Sequence, residues 1–294
     1  MRVREISLIA ALLVTVPAPP ARAAVEREAA GPPPDAERRL DRSLTRYLHR
    51  RPGRAAVAVL DRTTSTGYAY RERVPFLLAS VAKVDILLAL LLRAQREHRR
   101  LSDDERKLAA RMIRFSDNDC AHELYLAIGG RAGLARELRR LGVRNIVPGP
   151  GLYWGATRSR PSDQVKVLDR LTAATGPVSA ANRRYALRLM SSVTRRQAWG
   201  VSAAADGGWA LKNGWLPARV HGGLWTVNSV GLLVADGHEL LVAVLSERSP
   251  TRKAGIATVE RVARLTVRAI TRPPAWRHEA PPHRPDGHAR RAEG

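Results

Sequence analysis

Leucines at positions 40, 44 and 48 recur every four residues between Asp35 and Arg50, which predicts an amphipathic helix with one apolar face. The period then changes. Ala55 to Leu60 reads as a short apolar strand, Thr63 to Gly67 as a turn, and Tyr68 and Tyr70 alternate on a second strand. From Val84 to Leu92 only Asp85 is charged and the rest is apolar, so this segment predicts a helix buried all round. Ser102 with Glu105 forms a capping box that opens a helix to about Phe115. Another helix runs to Ile128 and is closed by Gly129-Gly130, and a further one over 131–141 ends at Gly142. Residues 143–157 are a loop punctuated by Pro148-Gly149-Pro150-Gly151, with Tyr153 and Trp154 expected to pin it. Pro161 opens a helix to about Ala174, and Ala180 to Val193 form the next.

Alternation returns from Trp209 to Leu216, with Ala210, Lys212 and Gly214 on one face and Trp209, Leu211, Asn213 and Trp215 on the other. Strands Trp225 to Ala235 and His238 to Leu245 flank an Asp236-Gly237 hairpin turn. Thr251 to Ile270 is a last amphipathic helix, with Ile256, Val259, Ala263, Val267 and Ile270 inward. The expected fold class is α+β: an antiparallel five-stranded sheet flanked by N- and C-terminal helices, with an inserted all-helical lobe. Residues 36–79 and 206–271 make the sheet lobe and 80–205 the helical lobe, with a cleft at their junction.

The two ends of the chain read differently. Arg2 and Arg4, an apolar run from Ile6 to Val16 and the small-x-small site Ala21-Arg22-Ala23 are the signature of a secretory signal cleaved near Ala23. The run is short for a bilayer span and no cysteine lies beside the cleavage site, so no membrane anchor is expected. Residues 24–35 are an Ala/Pro/Glu linker, and 272–294 a proline- and charge-rich tail expected to be disordered.

Charge narrows the partners. The 294 residues carry a net charge of +23. The arginines are scattered with no long basic block, so nucleic acid is not expected as a partner, and an anionic cell envelope is the surface such a charge would favour. Lysine is scarce: only Lys83, Lys107, Lys166, Lys212 and Lys253. Arginine stays protonated in proteins and cannot accept a proton, so the few lysines mark where an amine is needed. Cys120 is the one cysteine and no intramolecular disulfide can form. His122-Glu123 lacks a second histidine four residues on, so no metal site is expected.

Ser80 and Lys83 stand three apart at the head of the apolar helix, on one face. An ammonium in that setting should lose proton affinity and could serve as a base for an activated serine. The plainer reading has Ser80 capping the helix and Lys83 reaching solvent along its own stem. Two further short motifs follow in order, Ser116-Asp117-Asn118 after a helix and Lys212-Asn213-Gly214 on a strand.

This set resembles the Ser-x-x-Lys, Ser-Asp-Asn, Lys-Thr-Gly motifs of class A β-lactamases and penicillin-binding proteins, and the element order over residues 36–271 is similar too. The resemblance implies a serine hydrolase without a cofactor. Ser80 would be the nucleophile, Lys83 its base and Ser116 the proton relay. Asn118, Lys212, Asn213 and Gly214 would bind substrate, and the N–H groups of Ser80 and Trp215 would form the oxyanion hole. The substrate would be a small β-lactam, an ester or a D-Ala-D-Ala cell-wall peptide, acted on by a monomer. The chain departs from the family in two places. Class A enzymes carry a loop glutamate that activates the deacylating water, yet no glutamate occurs between Glu137 and Glu239, and Asp163 is the nearest acid. Asn213 stands where Ser or Thr is usual. Slow deacylation is therefore expected, with a D-Ala-D-Ala peptidase-like enzyme or a penicillin-binding module without efficient turnover as the alternative.

Overall fold

A computed structural model of the chain describes residues 29–272. The expected signal at 1–23, the linker as far as residue 28 and the tail beyond Arg272 lie outside those residues. Five strands, β1 (Arg54–Asp61), β2 (Thr66–Tyr70), β5 (Trp209–Pro217), β6 (Trp225–Ala235) and β7 (His238–Ser249), form one antiparallel sheet in the order β2-β1-β7-β6-β5. Asp236 and Gly237 both take positive φ, 51° and 78°, the twist that a two-residue β6–β7 hairpin requires. A separate two-stranded ladder, not expected from the pattern, joins β3 (Phe76–Leu77) to β4 (Arg158–Ser159). It ties the loop before residue 160 to the chain leading into Ser80.

The helices follow the predicted order: α1 (Pro34–His49), α2 (Ala82–Arg96), α3 (Asp103–Arg114), α4 (Asn118–Ala127), α5 (Gly130–Arg140), α6 (Pro161–Thr172), α7 (Ala180–Ser191) and α8 (Arg252–Thr271). Each has a local reason. Leu40, Leu44 and Leu48 of α1 are buried. Ser102 and Glu105 exchange both capping-box hydrogen bonds at the start of α3, worth about 1 kcal/mol. Gly129, at φ 90°, lets the chain turn from α4 directly into α5, so Gly130 begins a helix rather than closing one.

The sheet is covered on both faces. Every residue of β7 from Leu240 to Glu247 is buried, which a strand achieves only between two layers. α8 and α6 both pack on β7 and β1, and α1 packs on α8. The first and last helices were expected on the sheet. That α6, from the inserted block, also lies against it means the insert shares the sheet's core. α2 runs through the middle of the helices, contacting α3, α4, α5 and α6. Its burial all round matches the pattern, and it carries two ionisable groups, Lys83 and Asp85, with no exposed surface.

Candidate active site

A single 3₁₀ turn over Ala79–Val81 delivers the chain from β3 into α2. Ala79 holds φ 51°, and Ser116 holds φ 60° between α3 and α4. Non-glycine residues in this region cost about 1–3 kcal/mol each and persist where the surroundings over-determine them. The surroundings here are specific. Asn228 of β6, fully buried, donates to Leu77 O at 2.7 Å and Leu78 O at 3.1 Å, and its Oδ1 accepts from Ser246 N at 2.9 Å. Leu78 N donates to Thr157 O at 2.8 Å from the other side. The turn that presents Ser80 is thus clamped between the sheet and the 143–160 loop.

Ser80 makes no helix-capping bond, and Lys83 does not reach solvent. Lys83 Nζ instead lies 3.0 Å from Ser80 Oγ, 2.8 Å from Ser116 O, 3.1 Å from Ser116 Oγ and 2.8 Å from Asn118 Oδ1. The Ser116 carbonyl and Asn118 Oδ1 only accept. A neutral amine satisfies them with its two hydrogens and keeps its lone pair for a serine hydroxyl. Burial lowers Lys83 to about 7, against the opposing pull of the Asp117 carboxylate and Cys120. Its Nζ also sits 4.7 Å from the centre of the Trp154 ring.

Lys212 approaches from β5. Its Nζ lies 3.0 Å from Ser116 Oγ and 2.8 Å from Asn213 O, with no exposed surface. Burial first, and then the Lys83 charge, lower it well below the ordinary lysine range. Ser116 Oγ therefore stands between two amines, at 3.1 and 3.0 Å. Because Lys212 is enclosed, it reaches the cleft through Ser116 and through its field rather than through an open ammonium.

Gly214 follows on the same face of β5. A Cβ there would fall 2.6 Å from Leu78 O, 2.7 Å from Val81 N and 2.8 Å from Ser80 N. Only glycine lets the strand lie this close to the turn that carries Ser80, and the closeness brings the backbone before Trp215 beside the Ser80 N–H.

Asn213 is a correction. The alternation of β5 turns it to the other face, where Nδ2 donates to Gln197 O at 2.7 Å and Trp199 O at 2.8 Å. With both amide hydrogens committed and no exposed surface, it braces the 197–201 segment and has no N–H left for a substrate. Within Ser116-Asp117-Asn118 the middle residue is likewise structural. Asp117 caps α4 by accepting from Cys120 N at 3.0 Å and pairs with Arg111 at 2.7 Å. Its carboxyl is held low by that backbone bond first and by the arginine after it.

The acid nearest in sequence to the loop does not serve the site. Asp163, buried in the first turn of α6, accepts from Asn145 Nδ2 at 3.3 Å, and burial raises its pKa. Among the described residues no carboxylate makes a recorded hydrogen bond with Ser80 or Lys83. One further expectation also changes. Tyr153 is 76% exposed and pins nothing, whereas Trp154 is half-buried against the core. In the connection between β5 and β6, the His221 side chain is buried with Nε2 3.0 Å from Glu247 Oε2. Pattern reading missed three groups: Asn228, the Trp154 contact with Lys83, and Arg252. The Arg252 guanidinium lies 4.2 Å from the centre of the Trp215 ring.

The fold and these three motifs in one cleft define a β-lactamase-type architecture. Residues 104–270 match the sequence profile of the beta-lactamase enzyme family, and the chain belongs to that family. The fold is similar to that of a class A β-lactamase from Bacteroides cellulosilyticus, at TM-score 0.68 and 15% identity over 80% of this chain and 98% of that one. It is also similar to the TLA-1 extended-spectrum β-lactamase, at TM-score 0.71 and 17% identity over 80% of this chain and 99% of that one. In sequence it is similar to LppW of Mycobacterium tuberculosis, which bears a lipoprotein name, with 31% identity over 122 residues. That match spans 41% of this chain and 38% of the relative's length.

Proposed function

We propose that the protein is an exported serine hydrolase of class A β-lactamase type, which forms an acyl-enzyme on Ser80 with a β-lactam or a related amide or ester and releases it slowly. The observation that carries this reading is the placement of Lys83 Nζ on Ser80 Oγ with Ser116 Oγ held between Lys83 and Lys212. Ser80 Oγ bonds to the substrate carbonyl carbon and gives its proton to the free amine of Lys83. The carbonyl oxygen gains the charge and is received by the N–H groups of Ser80 and Trp215. When the carbon–nitrogen bond breaks, Ser116 passes a proton to the leaving nitrogen and is resupplied from the adjacent amines. Asn118, with Oδ1 on Lys83, keeps its Nδ2 for the substrate's amide.

Slow release is supported by the lack of a recorded carboxylate bond to Ser80 or Lys83 among the described residues. The same observation favours, as a second reading, a penicillin-binding module that acylates once. Export rests on the N-terminal sequence pattern and agrees with the lipoprotein name of the LppW relative. No helix among the described residues is long and apolar enough to cross a membrane. Intact-mass spectrometry after mixing with benzylpenicillin tests the reading. The native chain should gain one ligand mass and Ser80→Ala none. An unmodified native chain, or an equal adduct on Ser80→Ala, would overturn it.

A further inference from the structure

The loop that packs on the Ser80 turn sets an indole against Lys83. The Trp154 ring centre is 4.7 Å from Lys83 Nζ. This placement is built in by several contacts. Thr157 Oγ1 donates to Trp154 O at 2.7 Å, Trp154 N donates to Leu152 O at 3.0 Å, and the loop end is laddered to β3 through β4. A Cβ at Gly149 would fall 2.0 Å from Tyr153 O, so the loop closes on itself at that point only with glycine. The 3₁₀ turn over Trp154–Ala156 packs directly on the turn that holds Ser80. The backbone that carries Trp154 is held by the same segment whose Thr157 O accepts from Leu78 N at 2.8 Å and so fixes the turn at Ser80.

We infer that Trp154 is the positioning residue that makes the Ser80 acyl-enzyme long-lived, by covering Lys83 with a ring face where a deacylating water would have to stand to reach that amine. The inference rests on the acyl-enzyme reading above. In deacylation a water oxygen bonds to the acyl carbon, its proton passes to a base, and the bond from that carbon to Ser80 Oγ breaks as Oγ recovers a proton. Lys83 is the amine able to take the proton, and Trp154 acts on it in two ways. The half-buried ring occupies space beside Nζ and limits access of water. Its electron-rich face favours the ammonium over the free amine, so less Lys83 is unprotonated at a given pH. Asp117 and Cys120 act in the same sense on Lys83, while Lys212 is coupled to it in the opposite sense. Trp154 thus adds to a balance that is already poised.

Two substitutions separate this role from a merely structural one. Trp154→Phe keeps a ring face over the amine, and Trp154→Leu keeps apolar bulk without it. With benzylpenicillin, the lifetime of the adduct is followed by intact mass and the acylation rate is profiled against pH. Trp154→Leu should shorten the lifetime at least tenfold and move the rising limb of acylation to lower pH by about half a unit, as loss of a cation–π contact implies. Trp154→Phe should restore most of both. Thermal melts of all three proteins check that the fold is retained. Trp154→Ser is the substitute should the leucine variant fail to fold. Equal adduct lifetimes and an unmoved limb across the series would overturn the inference while leaving acylation intact. A native chain that never acylates would instead refute the acyl-enzyme reading, and this inference with it.

Discussion

Asp85 is a carboxyl buried on all sides two residues beyond Lys83, and replacing it should stabilise the protein in a pH-dependent way. Burial is the main cause of its pKa rising from 3.8 to about 8. The weak Gln164 Nε2 bonds, at 3.3 and 3.4 Å, pull it down, and neighbouring Asp163 pushes it up again. Below pH 3.8 the native and unfolded chains both keep the proton, so the group is neutral to stability. Between pH 4 and pH 8 the unfolded chain ionises Asp85 while the native chain does not. The native state then binds more protons, and stability falls as pH rises through that window. At pH 7 the accumulated cost is about 4 kcal/mol, from 1.36 kcal/mol per pH unit. Asp85→Asn keeps the shape and removes the ionisation, and Gln164, whose Oε1 is buried without a partner, would accept from the new Nδ2 by turning over its amide. Thermal unfolding by circular dichroism should show a Tm gain that is small at pH 4 and about 8 °C or more at pH 7, at about 2–4 °C per kcal/mol for a domain of this size. A gain independent of pH, or a loss of stability at pH 7, would refute the account of a neutral buried carboxyl.

Two other outcomes follow from the site. Gly214→Ala places a methyl 2.6–2.8 Å from backbone atoms of Leu78, Ser80 and Val81. The strand must then back away from the Ser80 turn at about 1–3 kcal/mol, and acylation measured by stopped flow with a fluorescent penicillin should fall about a hundredfold. Rates within twofold of native would mean that the close approach is dispensable. The acylation rate should rise with pH through about 7, as Lys83 gives up its proton, and Lys83→Arg should abolish it, since arginine stays charged; a flat profile would argue against Lys83 as base.

Much of the architecture was legible along the chain because its causes are local. The spacing of Leu40, Leu44 and Leu48, the Ser102–Glu105 box and the Asp236-Gly237 turn each specify an element within a few residues, and each forms as the pattern implies. The alternation of β5 even separated Asn213 from Lys212 and Gly214. The substrate role assigned to Asn213 came from family resemblance, and the strand's two-residue period overrides it.

Tertiary packing decided the rest. Periodicity says that a residue is buried but not against what, so nothing in the order of residues brings Trp154 to Lys83 or aims Asn228 at the carbonyls before Ser80. Those contacts join positions 71 and about 150 residues apart, and they arise only once the loop, the sheet and α2 close on one another. The sequence by itself determined which groups could do chemistry and the elements that carry them. Their distances, their proton affinities and the ring that covers the amine exist only in the folded chain, because desolvation and hydrogen bonding act through space.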